Sequence, residues 1–137
     1  MDDQLDNIGM TPAGNSYEPQ DGFLFIGELA KLTSTDPKTI RFYERVELIS
    51  PARHGRFRTY LASDVRRLKN ILTLRRLGVP IAQIREILDM LTPEEDVLSS
   101  EKAVRHLKQH LDLLKNRQDE LRQQIEKTHS ALESLVA

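Results

Sequence analysis

Residues 26–49 read "IGELAKLTSTDPKTIRFYERVELI", and this stretch decides the fold. Its first part places apolar residues at helical spacing, namely Ile26, Leu29, Ala30 and Leu32. "TSTD" then interrupts the pattern. Asp36 and Pro37 predict the start of a second helix, because the carboxylate can cap free amides and proline is tolerated at the first helical position. We therefore expect a helix from about Pro37 to Val46, and two short helices joined by a tight turn form a helix-turn-helix.

The second helix contains two adjacent aromatic residues, Phe42 and Tyr43. Neighbouring residues on a helix point in different directions, so only one of the two can face the core. Ile40 and Val46 are expected to pack into the domain. The second aromatic residue then serves a surface that meets another molecule; the alternative is that both rings are simply packed.

The next segment, "SPARHGRFRTY" (residues 50–60), is basic and contains Pro51 and Gly55. Its last residues suit β-strands, so it predicts a small hairpin, or wing. Ser63 or Asp64 is expected to cap the following helix, which ends at Gly78. "PIAQIREILDML" (residues 80–91) predicts one more short helix.

The C-terminal segment predicts one long helix with an apolar stripe, interrupted by Gln118 and Thr128. The stripe follows alternating spacings of three and four, and its apolar members are Val104, Leu107, Leu111, Leu114, Leu121, Ile125, Leu132 and Leu135. An isolated helix would leave this stripe in water, so a partner helix is required. We expect a homodimer; the alternative is that the helix packs back on its own domain.

Charge is distributed unevenly along the chain, although the net charge is only -1. Residues 1–23 carry -5, residues 24–90 carry +6 from 13 Lys or Arg against 7 Asp or Glu, and residues 91–137 carry -2. A basic middle between acidic ends is typical of nucleic-acid binders. The alternative is a set of solvated helical faces that happen to be basic.

Composition excludes several classes of protein. There is no cysteine, so disulfides and thiolate metal sites are excluded. No apolar run approaches the roughly 20 residues that span a membrane, and the acidic N-terminus is not a signal peptide, so we expect a cytoplasmic protein. The predicted organisation is a disordered acidic tail (1–22), a winged helix-turn-helix domain (23–91), a linker (92–100) and a coiled-coil dimerisation helix (101–137).

The sequence resembles the MerR family of bacterial transcription regulators. The matching stretches are "IGELAKLT", "TIRFYE", "GRFRTY" and "DVRRLKNILTLRRLGVPIAQIREIL". The resemblance implies a mainly α fold, in which an antiparallel coiled coil holds two winged helix-turn-helix domains apart. It also implies that the homodimer binds promoter DNA in the bacterial nucleoid, and bends and untwists it so that RNA polymerase can engage.

The resemblance also indicates which residues contact DNA. In the second helix they are Lys38, Thr39, Arg41, Phe42 and Tyr43, with Arg41 and Tyr43 as phosphate ligands. In the wing they are Arg53, His54, Arg56, Arg58 and Tyr60. Three positions depart from the family pattern: Ser34 and Glu47 stand where glycine is usual, and Pro80 where serine is. Glu47 must adopt a left-handed conformation, or the helix must end differently.

Sensing and catalysis find little support in the sequence. Metal-responsive members bind ions through cysteines, which are absent here, and we expect a short member without a C-terminal ligand-binding domain. His106 and His110 have a spacing that can bind a metal with a third ligand such as Asp112 or a residue of the other subunit, but two exposed helix histidines are the simpler interpretation. We expect no metal, no cofactor and no enzymatic activity. The alternative function is a DNA-anchored structural or interaction protein, a nucleoid or replication accessory factor whose coiled coil binds a partner.

Overall fold

The computed structural model describes residues 22–136 of the chain. The predicted acidic tail lies almost entirely outside these residues, as does Ala137. The described chain forms two compact units, residues 22–97 and residues 98–136.

The first unit contains four helices and a small sheet. Its elements are β1 (Leu24–Phe25), α1 (Ile26–Thr33), α2 (Pro37–Arg45), β2 (Ala52–His54), β3 (Phe57–Tyr60), α3 (Ala62–Arg76) and α4 (Ile81–Asp89). The sheet is antiparallel with the order β1-β3-β2, so the β2–β3 hairpin, here called the wing, is anchored by β1. A 3-10 turn (Val97–Ser99) precedes the long helix α5 (Glu101–Val136). The predicted winged helix-turn-helix followed by a long helix is confirmed.

An aspartate carboxylate accepts a backbone N–H at the start of both α2 and α3, but from a different position in each helix. Asp36 caps α2 as predicted, because its Oδ1 accepts the Lys38 N–H at 2.8 Å and Pro37 is the first helical residue. The predicted capping of α3 by Ser63 or Asp64 was wrong. This helix already begins at Ala62, and Asp64 in its first turn reaches back to accept the Leu61 N–H at 2.9 Å.

Three helices end in the same backbone motif, a pair of hydrogen bonds around a residue with positive φ. At the end of α3 this residue is Gly78, with φ 77°. At the ends of α1 and α2 it is Ser34 (φ 52°) and Glu47 (φ 60°). After α2, for example, the Glu47 N–H donates to the Glu44 carbonyl at 3.0 Å and the Leu48 N–H to the Tyr43 carbonyl at 2.9 Å. Of the two possibilities for Glu47, the left-handed conformation is therefore the one present.

Two arginines bind the carbonyl groups that follow α2. Arg85 of α4 donates to the Glu47 carbonyl at 3.0 Å and also to the carbonyl of Val46. Arg67 of α3 donates to the carbonyl of Leu48. Hydrogen bonds from charged donors contribute roughly 1.5–3 kcal/mol each, enough to offset the cost of a left-handed glutamate.

The core of the first unit is built from the inner faces of all four helices and the sheet. Its largest fully buried side chains are Leu24, Leu29, Ile40, Leu48, Ile49, Tyr60, Leu68, Ile71, Leu74, Val79, Ile84 and Val97. Asn70 ties the loop after α4 to this core, because its side chain donates to the Glu95 carbonyl and accepts the Val97 N–H, both at 3.0 Å.

The helix α5 is 36 residues long, which corresponds to roughly 54 Å. Six residues of its predicted apolar stripe are exposed in the single chain: Leu111, Leu114, Leu121, Ile125, Leu132 and Leu135. Within residues 22–136, no helix combines the length and apolar character needed to cross a membrane.

Replacing Glu47 by glycine should stabilise the protein. A residue with a Cβ in the left-handed region costs about 1–2 kcal/mol, and the exposed Glu47 side chain makes no hydrogen bond or ion pair with residues 22–136. We expect Glu47→Gly to raise the free energy of unfolding by about 1 kcal/mol in denaturant titrations at fixed protein concentration. Glu47→Ala is the matched control, since it removes the side chain but keeps the Cβ. Equal stability of the two variants would contradict the prediction.

Candidate nucleic-acid interface

The helix α2 has one buried and one exposed face. Ile40 and Tyr43 are buried, with 0% and 5% of their surfaces exposed. Lys38, Arg41 and Phe42 are exposed on the other side, and Thr39 is half-buried. The helical period separates the two groups, because residues three and four apart share a face. The exposed face is therefore basic with one aromatic ring in it.

Phe42 and Tyr43 have different environments. Tyr43 places its ring in the core, whereas Phe42 is 39% exposed, and their ring centroids are 5.7 Å apart. The expectation that only one of two adjacent aromatic residues faces the core is confirmed. Phe42 is the one available to another molecule.

The wing carries exposed basic residues at its tip. Arg53, His54 and Arg56 are all exposed, and Gly55 adopts φ 64° in the turn. Arg53 lies directly opposite Arg58 in the antiparallel pairing, and like charges in that position repel each other. A negative group nearby would relieve this repulsion.

Glu44 of α2 supplies that negative group, and sequence reasoning had not singled it out. Its Oε2 accepts a hydrogen bond from Arg58 Nε and its Oε1 accepts one from the Tyr60 hydroxyl, both at 2.5 Å. The Glu44 side chain is only 12% exposed. One carboxylate therefore joins α2 to the wing. The only signal in the sequence was an acid inside "RFYER", which has no evident partner until the fold is known.

These bonds decide where two predicted site residues lie. Tyr60 is fully buried, so it meets Glu44 and not the surface. Burial raises the pKa of the Tyr60 phenol well above its ordinary value, and the hydrogen bond to Glu44 and the charge of Glu44 raise it further. Arg58 stays 29% exposed at its side chain, with its Nε held by Glu44.

The other face of the sheet carries an aromatic cluster. Alternation along the strands puts Phe25 and Phe57 on the side opposite Arg58 and Tyr60. The Phe25 and Phe57 rings meet edge to face at 5.9 Å, and Phe23 stacks on His54 at 5.8 Å. His54 therefore lies on a different face of the hairpin from Arg53.

Comparison with known proteins agrees with this geometry. The model described as "MerR HTH family regulatory protein" matches residues 25–91, and the model described as "MerR, DNA binding" matches residues 65–137. The chain belongs to the MerR family. The first match spans both helices of the helix-turn-helix and the wing, and the second runs from α3 to the C-terminal residue.

Individual MerR-family relatives are HTH-type transcriptional regulators. The chain is 39% identical over 82 residues to ZntR of Escherichia coli (strain K12), covering 58% of each protein. It is 36% identical over 97 residues to TnrA of Bacillus subtilis (strain 168), covering 70% of this chain and 84% of TnrA. It is 34% identical over 117 residues to the transcriptional regulator BrlR of Pseudomonas aeruginosa, covering 83% of this chain and 38% of BrlR. The chain thus spans little more than half of the length of ZntR.

The part of the chain that the structure describes contains no cluster of side chains suited to bind a metal ion. Among residues 22–136, no three histidine or carboxylate side chains come together in a way that could hold an ion. His106 and His110 both lie on α5, four residues apart, without a third donor grouped with them.

Alkaline pH should reveal the Tyr60–Glu44 bond. Folding keeps the Tyr60 proton in place, whereas the unfolded chain releases it near the ordinary pKa of 10.0. The free energy of unfolding should therefore fall as the pH rises above about 10, and this part of the stability is present only at lower pH. We expect Tyr60→Phe to be less stable at neutral pH, because a bond to a carboxylate is lost, but to lose less stability on alkalinisation. Parallel pH profiles for the two proteins, measured by denaturant titration, would contradict this.

Proposed function

We propose that this protein is a transcription regulator that binds promoter DNA as a homodimer. The exposed basic face of α2, opposite the buried Ile40 and Tyr43, is the observation that carries the proposal. A helix fits the major groove, which is about 12 Å wide, and its N-terminal residues then meet base edges. In this arrangement Lys38 and Thr39 contact bases, and Arg41 binds a phosphate.

The wing contributes contacts beside the groove. Arg53 and Arg56 are exposed and bind phosphates or the minor groove. Arg58 donates its Nε–H to Glu44 and binds DNA through the other N–H groups of its guanidinium. Tyr60 acts indirectly, since its buried hydroxyl fixes Glu44. Tyr43 likewise supports α2 from inside, since only 5% of its surface is exposed.

The exposed stripe of α5 supports the dimer. The six exposed side chains of the stripe, from Leu111 to Leu135, would be unfavourable in water and suit a second copy of the same helix. Two winged domains held apart by an antiparallel coiled coil would contact two half-sites of DNA. Bending and untwisting the DNA between them would let RNA polymerase engage the promoter. The proposed place of action is the bacterial cytoplasm, at the nucleoid.

Binding assays on duplexes chosen from a random pool test the DNA contacts. We expect affinity to fall steeply with salt, by roughly 0.9 logarithmic units per phosphate contact for each tenfold increase in salt. Arg41→Ala should weaken binding to all duplexes and reduce this slope. Lys38→Ala and Thr39→Ala should change the preference among bases, by about 1–3 kcal/mol at the position read. The assignment fails if all three variants lose equally on selected and random duplexes.

Sedimentation tests the dimer. Replacing Leu114 and Leu121 together by glutamate should give monomers, because burying each leucine contributes roughly 1.5–3 kcal/mol. Lys127→Glu is a matched control on α5, since it changes charge outside the stripe. The double variant should also bind DNA weakly, although its winged domain is folded. A double variant that still sediments as a dimer at micromolar concentration would place the partner surface elsewhere.

A further inference from the structure

Arg45, the last residue of α2, has an arrangement that the proposed contacts do not use. Its side chain is exposed, and its guanidinium carbon lies 5.9 Å from the centroid of the Phe42 ring. Within residues 22–136 it forms no hydrogen bond through its side chain and no ion pair. The adjacent carboxylate of Glu44 is occupied by Arg58 and Tyr60. The charge of Arg45 is therefore available to another molecule.

Helical geometry puts Arg45 on the same face as the proposed DNA contacts. Relative to Lys38, the positions of Arg41, Phe42 and Arg45 are three, four and seven residues further on, which is one side of a helix. Ile40 and Glu44 lie on the opposite side, toward the core and the wing. Arg45 thus extends the exposed face of α2 by one turn.

The distance along the helix indicates which part of DNA Arg45 would meet. Seven residues correspond to about 10 Å, close to the roughly 12 Å width of the major groove. If Lys38 reaches the bases, Arg45 reaches the backbone at the groove edge. A guanidinium group on an aromatic face keeps its N–H edge free for phosphate oxygens.

We propose that Arg45 is a further DNA-contacting residue that binds a phosphate, and that the Phe42 ring is its positioning residue. This rests on the proposed function, because it requires α2 to lie in the major groove. It gives Phe42 a defined task, which is to hold the flexible arginine in the orientation that meets the backbone. An arginine held in advance loses less side-chain freedom on binding.

Salt titrations of the full chain test the phosphate contact. On both selected and random duplexes, Arg45→Ala should reduce the salt slope by about 0.9 and weaken binding about fivefold at 0.15 M salt. Arg45→Lys should keep the slope, since the charge remains. Lys127→Ala is the matched control: it removes one positive charge from α5 outside the stripe and should leave the slope unchanged. Circular dichroism on each variant checks that the fold is intact.

A double-mutant cycle tests the role of Phe42. Phe42→Leu should weaken binding when Arg45 is present and have little effect in the Arg45→Ala background. Additive losses would overturn the positioning role. An Arg45→Ala variant with unchanged affinity and slope, or with a changed base preference, would overturn the phosphate contact. If Arg41→Ala loses affinity while Arg45→Ala does not, only this inference fails; if the unaltered protein selects no duplex, the proposed function fails as well.

Discussion

The arrangement of α2 relative to the wing depends on the hydrogen bonds that the Glu44 carboxylate accepts. This carboxylate accepts one hydrogen bond from Arg58 and one from Tyr60, and so joins α2 to the wing. Without it, the Tyr60 hydroxyl would be buried without this acceptor, and Arg58 would face Arg53 across the hairpin without a counter-charge. Both situations are unfavourable. The relative position of the two proposed DNA-contacting elements therefore rests largely on one side chain.

The chain that follows the C-terminal end of α2, directly after Glu44, is held by a different kind of contact. Glu47 adopts a left-handed conformation, and Arg67 and Arg85 bind the carbonyl groups around it. These arginines come from α3 and α4, so α2 is tied to the rest of the domain at its C-terminal end and to the wing through Glu44. A helix fixed in this way presents Lys38 and Arg41 in one orientation, which reduces the conformational freedom lost when a rigid ligand such as DNA binds.

Local sequence patterns predicted most of the fold, because helix starts and helix ends are decided by interactions between residues close together in the sequence. Asp36 and Pro37 marked the start of α2. The glutamate in place of glycine at position 47 reduced the helix end to two possibilities, of which the left-handed conformation is present. The burial of Tyr60 could not be predicted in the same way. Alternation along a strand defines two faces, but tertiary packing decides which one is buried. The pairing of Glu44 with residues 14 and 16 positions later is likewise invisible to short-range patterns.

Counting charges in the sequence had a similar limit. A count does not distinguish basic side chains that bind acceptors inside the domain from those that remain available to another molecule. Several arginines in the basic middle of the chain bind internal acceptors: Arg58, Arg66, Arg67, Arg75, Arg76 and Arg85. The residues whose charged groups form no hydrogen bond or ion pair within residues 22–136 include Lys38, Arg41, Arg45, Arg53 and Arg56. These five lie on α2 and the wing, the two elements that Glu44 joins. The fold thus concentrates available positive charge on α2 and the wing, because acceptors inside the domain bind the six arginines named above.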